Sequence, residues 1–459
     1  MLRSNVATEI DTVYRFQRSS FIASDEGQRP ELRKPFRLGR LFYCPYRASL
    51  YADVETEGVI MRNITLGLLA LSLAACQSEV AQEQVKLDAA AIHARTLTLD
   101  THIDIPLTYM LEIDPSGPTD LQVDLPKLQA GGLDSGFWIV YTPQGDLNED
   151  GYAQGLEIAE TRNAAIQNLV TKHADNFELA KTAADVRRIV AAGKYAVMIG
   201  VENAYSLGES VESVPMWAER GVRYMGITHF GHNQFGDSSN MNFLRDDGPK
   251  WNGLSPLGKD LVRAMNDNGI MVDVSHAGKE TMMQAADLSR TPIIASHSGV
   301  KAVADSARNL DDEQLKKIAE VGGVAQMVAL GSYVKLPTPE QQAARDALDA
   351  EYGDRNTWDQ VKRDAYMAER AKITAMAPEA IVSDFVDHID HAVKVAGIDY
   401  VGIASDFDGG GGIGGWQNAG ETANVTTELV KRGYSEADIA KIWGGNLLRV
   451  MEAVEQGAK

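Results

Sequence analysis

With 459 residues, 44% of them hydrophobic and 24% charged, the chain has ample material for a core and an ordinary globular composition. A formal net charge of −20 excludes nucleic acid as a natural partner, since no basic patch is visible to hold a polyanion. The two cysteines, Cys44 and Cys76, exclude a disulfide framework.

In chain order, the first informative stretch is residues 61–76, "MRNITLGLLALSLAAC": a basic start at Arg62, an apolar run from Ile64 to Ala75, then Cys76. Such a run falls short of the roughly 20 residues that cross a bilayer, so it reads as an export signal rather than a membrane span. "LAAC", Leu73 to Cys76, resembles the lipobox of bacterial lipoproteins, in which the cysteine is lipidated and becomes the mature N-terminus. On that reading residues 1–60 are a mis-called upstream extension, 61–76 a lipoprotein signal peptide, 77–87 a polar tether and 88–459 the folded domain. The expected location is the bacterial cell envelope, facing the periplasm or the exterior. The mature chain is strongly acidic and would not bind anionic lipid headgroups, so the acyl chain on Cys76 is the expected membrane contact.

From about residue 95 short β-rich runs alternate with amphipathic stretches. The runs are "RTLTLDTHID", "GFWIVYT" (136–142), "YAVMIGVEN" (195–203), "VRYMGITH" (222–229), "IMVDVSH" (270–276), "TPIIASHS" (291–298), "GVAQMVAL" (323–330) and "YVGIASDFDG" (400–409). Helical patterns fall near 151–171, 256–268 and 278–288. Alternation of this kind implies parallel pairing, and near-continuous apolar runs imply strands covered on both faces. The expected fold is α/β, a (β/α)8 TIM barrel. The charged, Ala-rich stretch 338–378 reads as a helical insertion before the last strand.

Nearly every strand ends in a polar or ionisable residue: His102 and Asp104, Glu202, His229, His276, His297, Asp406. In barrels that C-terminal rim is where active sites lie. His102 and Asp104 stand two apart, so strand alternation sends both to one side. Imidazoles and carboxylates without a thiolate suit Zn²⁺ or a similar divalent ion in a hydrolytic site. His102, Asp104, Glu202, His276 and His297 are more ligands than one open tetrahedral site needs; they suit two ions, with Glu202 on a middle strand as the natural bridge.

Other polar residues draw blander readings. His232 lies beyond its strand and reads as a loop or supporting residue; His388 and His391 read as helix surface. Asp408 reads as a turn residue, and the following "GGGGIGG" as a mobile rim loop, since no helix start with a lysine follows to make a phosphate cradle.

"THIDIP", "GVENAYSLG", "MGITHFGHN", "GLSPLGKDLVRAMNDNGIMVDVSH", "PIIASHS", "RNLDDEQL", "VGIASDFDG" and the ending "GGNLLRVME" resemble, in that order, the membrane (renal) dipeptidase family, peptidase family M19 of the amidohydrolase superfamily. The resemblance spans roughly residues 88–455. It implies a zinc-dependent dipeptidase in which a metal-bridging hydroxide attacks the peptide bond. By motif, His102 and Asp104 would bind one zinc, His276 and His297 the other, with Glu202 bridging. His229 would polarise the scissile carbonyl on the substrate side, Arg308 in "ARNL" would grip the dipeptide's C-terminal carboxylate, and Asp406 would shuttle the proton. A bare surface reading of Arg308 pairs it with Asp311 or Asp312 instead. The family's tendency toward dimers implies a homodimer.

Ile103 stands between the first two ligands, where the family often has a polar residue; facing the other way, it leaves them undisturbed. His-x-Asp and Glu202 separate the chain from superfamily relatives that use His-x-His and a carboxylated lysine. The competing readings are another amide hydrolase of the superfamily, or a non-catalytic envelope binding lipoprotein. Loss of a ligand would mark the latter, and none is lost.

Overall fold

The computed structural model describes residues 87–240, 248–353, 358 and 360–459. The upstream extension, the signal peptide with Cys76, and residues 77–86 of the tether lie outside them. Nine strands form one parallel sheet: β1 (Leu99–Ile103), β2 (Ser135–Tyr141), β3 (Phe177–Leu179), β4 (Tyr195–Glu202), β5 (Val222–Gly226), β6 (Met271–Asp273), β7 (Ile294–Ser298), β8 (Val324–Val328) and β9 (Val401–Ala404).

Eight of these run round a (β/α)8 barrel in the order β1-β2-β4-β5-β6-β7-β8-β9. They are the eight expected from the sequence. The ninth, β3, adds three residues beside the start of β4, with Phe177 opposite Tyr195; a run that short has no alternation to read. At the seam between β9 and β1 the ladder gives way to two bonds, Asp104 N–H to the Phe407 carbonyl at 2.9 Å and Asp406 N–H to the His102 carbonyl at 3.1 Å. Closure therefore sets the segment bearing His102 and Asp104 directly against the one bearing Asp406.

The apolar runs follow from burial on both faces. On β2, Phe137 and Ile139 join Ala196, Met198, Tyr224, Met271, Ile294 and Val324 in one cluster, while Trp138 and Val140 join the larger cluster that includes helix residues. Each such large apolar side chain contributes about 1.5–3 kcal/mol on burial. Along β4 the residues Ala196, Met198, Gly200 and Glu202 share a face by alternation, so Glu202 ends a column whose lower members are apolar. Gly200 is required in that column. A Cβ there would come within 2.3 Å of the Tyr224 ring, which crosses toward His102.

Loops leaving the rim are closed by helix caps. Asn148 caps the helix Glu149–Lys172, Ser255 caps Pro256–Asp267, and Asp311 with Gln314 forms a capping box on Asp312–Glu320. The insertion lies where expected, between β8 and β9. Its helices Pro339–Tyr352 and Gln360–Thr374 share a small core of Leu348, Trp358, Tyr366 and Ile373. Among the described residues no helix is long and apolar enough to cross a membrane.

Candidate active site

His102, Asp104, Glu202, His229, His276, His297 and Asp406 all reach the C-terminal rim, and their side chains converge. The Glu202 carboxylate organises them by its two oxygens. Oε2 lies 3.5 Å from His102 Nε2, whereas Oε1 lies 3.0 Å from His276 Nε2, 3.3 Å from His297 Nε2 and 3.7 Å from His229 Nε2. His102 Nε2 also faces Asp104 Oδ2 at 3.4 Å and Asp406 Oδ1 at 3.8 Å. Both oxygens of one carboxylate thus face imidazoles, Oε2 on the His102 side and Oε1 on the side of His276 and His297.

The donor set fits metal ions. Ligand atoms about 2.0–2.1 Å from a tetrahedral zinc stand roughly 3.3–3.4 Å apart, and the spacings above bracket that value. His102 Nε2 is buried without a hydrogen-bond partner. The Nε2 atoms of His276 and His297 are only 3.0 Å apart, a spacing natural for two lone pairs turned on one cation. Three groups of ligand atoms close enough to hold an ion emerge: His102, Glu202 and His297; Glu202, His229 and His276; and His102, Asp104 and Asp406.

Protonation follows from the same crowding. Burial opposes charge on Glu202, but the facing His102 and His229 outweigh it and hold the carboxyl well below its ordinary range. Burial drives His276 and His297 well below the ordinary imidazole value, and nearby cations add to this. Burial and then Arg308 lower His229, against the pull of Glu202. For Asp406, burial raises the carboxyl well above the usual range, and Asp104 and Glu202 push the same way. His102 goes the other way: burial opposes its charge, but Glu202 and Asp104 outweigh it and raise the imidazole well above its ordinary value, so a metal at His102 would take the place of a proton.

Several of these residues sit on strained backbone. His276 has φ 63°, Asp406 φ 60° and Asn203, next to Glu202, φ 74°, a left-handed region costly for side chains other than glycine and concentrated at functional sites. Surrounding bonds fix them: Ser239 N–H donates to the His276 carbonyl at 2.7 Å, and the Asn203 side chain donates to the Thr142 carbonyl at 3.0 Å.

Residues not singled out from the sequence support the cluster. The Ser296 hydroxyl donates to Asp273 Oδ2 at 2.8 Å and lies 2.8 Å from His297 Nδ1; with its proton committed to the carboxylate, it accepts from Nδ1–H and leaves Nε2 free for a metal. Tyr224 meets His102 Nδ1 in the same manner. Gly409 lets the rim loop press on the site, since a Cβ there would lie 2.1 Å from Asp104 Oδ2 and 2.7 Å from Asp406 Oδ1. The alternation that placed Glu202 could have found Tyr224, two residues before Gly226 on β5. Gly409 carries no such signal within its glycine run.

Arg308 is 3% exposed and donates to Ser298 Oγ at 2.7 Å and to the His297 carbonyl at 2.6 Å. The surface alternatives do not occur: Asp311 pairs with Lys279 and Asp312 with His391. Among the described residues no carboxylate stands within ion-pair distance of Arg308. His232 is buried in its loop and accepts from Ser238 N–H at 2.9 Å, a supporting role. His388 corrects its helix-surface reading. At 1% exposed it accepts from Val300 N–H and reaches the Val334 carbonyl, because its helix lies beneath the loop that follows β7. His391 is half-buried against Asp312. Asp408, at φ 59°, accepts from Gln122 and Val123 N–H as a turn residue. The glycine run is tied down rather than loose: Gly412 N–H donates to the Ala329 carbonyl, and Gln122 donates to that of Gly411.

Residues 87–459 match the sequence model of the membrane dipeptidases, peptidase family M19. The chain belongs to that family. Similar proteins include the dipeptidase tcpJ of Claviceps purpurea, 30% identical over 344 residues, 73% of this chain and 70% of that one. The crystal structure of the probable dipeptidase PvdM from Pseudomonas aeruginosa superposes with a TM-score of 0.75 at 35% identity, covering 81% of this chain and 98% of that chain. A Rhodobacter sphaeroides metallopeptidase, solved with a phosphinate mimic of the dipeptide L-Ala-D-Ala, shares the fold with a TM-score of 0.63 at 23% identity, covering 78% and 99%. This M19 member is accordingly a metal-dependent hydrolase of dipeptidase type, and the clustered imidazoles and carboxylates are its candidate metal ligands.

Proposed function

We propose that the protein is a dipeptidase with two resident zinc ions, His102 and Asp104 holding one, His276 and His297 the other, and Glu202 joining them. The observation that carries this reading is the division of Glu202: Oε2 faces His102, Oε1 faces His276 and His297. When bound, such ions act as Lewis acids and bring the pKa of a coordinated water toward neutrality.

The remaining work falls to the chain. Arg308 takes the free C-terminal carboxylate of the dipeptide, which would restrict substrates to short peptides with that end exposed. His229, a neutral imidazole, donates one N–H to the scissile carbonyl oxygen as negative charge develops there. Asp406 receives the proton given up by the attacking water and passes it to the amine nitrogen as the C–N bond breaks, leaving a carboxylate and a free amine. Burial and the neighbouring carboxylates raise its proton affinity, which suits it to carry the proton between the two steps.

Hydrolysis of L-L and L-D dipeptides, measured on the purified protein before chelation, after chelation and after zinc is restored, tests this reading. Cleavage lost to the chelator and returned by zinc is expected; a folded, zinc-loaded protein inert on every dipeptide would refute it. The lipobox gives the location, a lipid-anchored protein of the bacterial envelope. Incorporation of a labelled fatty acid that Cys76→Ala abolishes is the expected result; equal labelling of that variant would remove the anchor.

A further inference from the structure

A cavity of about 320 Å³ opens beside the catalytic cluster, lined among others by Ser238, His276, Lys279, Ser298, Lys301 and Arg308. It includes both a proposed metal ligand and the residue proposed to hold the substrate's C-terminal carboxylate. We propose that this cavity receives the side chain of the dipeptide's C-terminal residue, and that Lys301 makes an acidic side chain the preferred one. The inference rests on the dipeptidase reading and names its substrate class.

Charge is the first argument. Three cations and one carboxylate, Asp311, line the cavity in a chain whose net charge is −20. The cations are not equivalent. Lys279 is satisfied by Asp311 at 2.7 Å and Glu313 at 2.6 Å. Arg308 is buried, held by Ser298 Oγ and the His297 carbonyl, and is the cation proposed above for the backbone-linked carboxylate. Lys301 has a weaker attachment: its ion pair with Asp305 is 3.6 Å long, between side chains 46% and 76% exposed, and such solvent-screened pairs are worth about 0–1 kcal/mol. Its ammonium can turn to a better carboxylate.

Placement is the second argument. Lys301 and Arg308 stand on opposite limbs of one loop, 299–311, whose limbs are stapled by Lys301 N–H to the Leu310 carbonyl at 2.8 Å and Leu310 N–H to that of Gly299 at 2.9 Å. Asn309 braces it further, donating to the Ala304 and Tyr333 carbonyls. The backbone positions that carry the two cations are therefore fixed, and the Lys301 ammonium swings from a rigid base beside Arg308. The volume, at the small end of ligand pockets, leaves ample room for an acidic side chain.

The test compares dipeptides that share N-terminal L-alanine and carry Asp, Asn, Glu, Gln or Leu, in L and D form, at the second position. In the zinc-loaded wild type kcat/KM for Asp and Glu should exceed that for the isosteric Asn and Gln about tenfold, the scale of one charged hydrogen bond. Lys301→Met should bring the ratio to about one, and Lys301→Glu should invert it. The ratio is the readout, whatever the absolute rates do. An acid-to-amide ratio of one or less in the wild type, or a ratio that Lys301→Met leaves intact, overturns the inference. If no peptide of the series is cleaved, the dipeptidase reading fails by itself. Calorimetric titration with L-Ala-Asp and L-Ala-Asn then still decides the pocket: tighter binding of the acid, lost in Lys301→Met, upholds it, and equal affinities refute it.

Discussion

The Tyr224 hydroxyl lies 2.9 Å from His102 Nδ1 and gives its own proton to the Thr101 carbonyl at 3.0 Å. The hydroxyl can then only accept from the imidazole, so Nδ1 carries a proton and Nε2 is the nitrogen turned to Glu202 and Asp104. Tyr224 thus selects the tautomer that a metal ligand needs.

Replacing Tyr224 by phenylalanine keeps the ring that fills the space above Gly200 and removes only this oxygen. Metal affinity should fall about 10–100-fold, the usual effect of losing a partner behind a metal-bound imidazole. Competition against a chromophoric chelator measures it. Affinity unchanged within twofold would show that His102 is oriented without the phenol.

Gly409→Ala introduces a Cβ 2.1 Å from Asp104 Oδ2. Neither the carboxylate nor the loop can yield cheaply, because Asp406 Oδ1 would also lie only 2.7 Å from that Cβ and Gly409 N–H is bonded to the Asp406 carbonyl. The variant should bind metal more weakly and melt at lower temperature, by roughly 1–3 kcal/mol of stability. Metal content and thermal melting of wild type and variant together check this. A variant that keeps full metal content and melting temperature would place Gly409 outside the ligand environment.

The barrel and its rim were legible because period and position carry them. Eight apolar runs separated by helical patterns specify parallel strands, and a strand-final His or Glu needs only alternation to be placed on the rim. What escaped has no period. Strand β3 is three residues long, and Gly409 matters through contact with Asp104, far away in sequence. Ser296 and Asp273 look like strand filler until the ladder brings them under His297. His388 misled for a related reason: its helix is amphipathic, and only the loop after β7 shows which side is covered.

Asp406→Asn retains shape and hydrogen bonding but cannot carry a proton. If Asp406 moves the proton, kcat should drop about 10²–10⁴-fold, the range for general acid–base catalysis, with metal content unchanged. Single-turnover hydrolysis with parallel metal analysis separates the two effects. Loss of bound metal would instead make Asp406 a ligand, a role its closeness to His102 and Asp104 also permits geometrically.

Arg308 sets activity against stability. Its guanidinium is buried among neutral oxygens, Ser298 Oγ and the His297 carbonyl, and stacks over the Tyr333 ring at 5.6 Å. Burial pulls its pKa down, which expresses the cost of an ion removed from water without a counter-ion in contact. Arg308→Met fills similar volume without charge. The unliganded variant should therefore melt no lower than wild type, and within about 1 kcal/mol above it, while kcat/KM for dipeptides falls at least about a hundredfold through KM. Thermal melting beside steady-state kinetics reads both. A large loss of stability with little change in KM would reassign Arg308 from holding substrate to holding the end of β7.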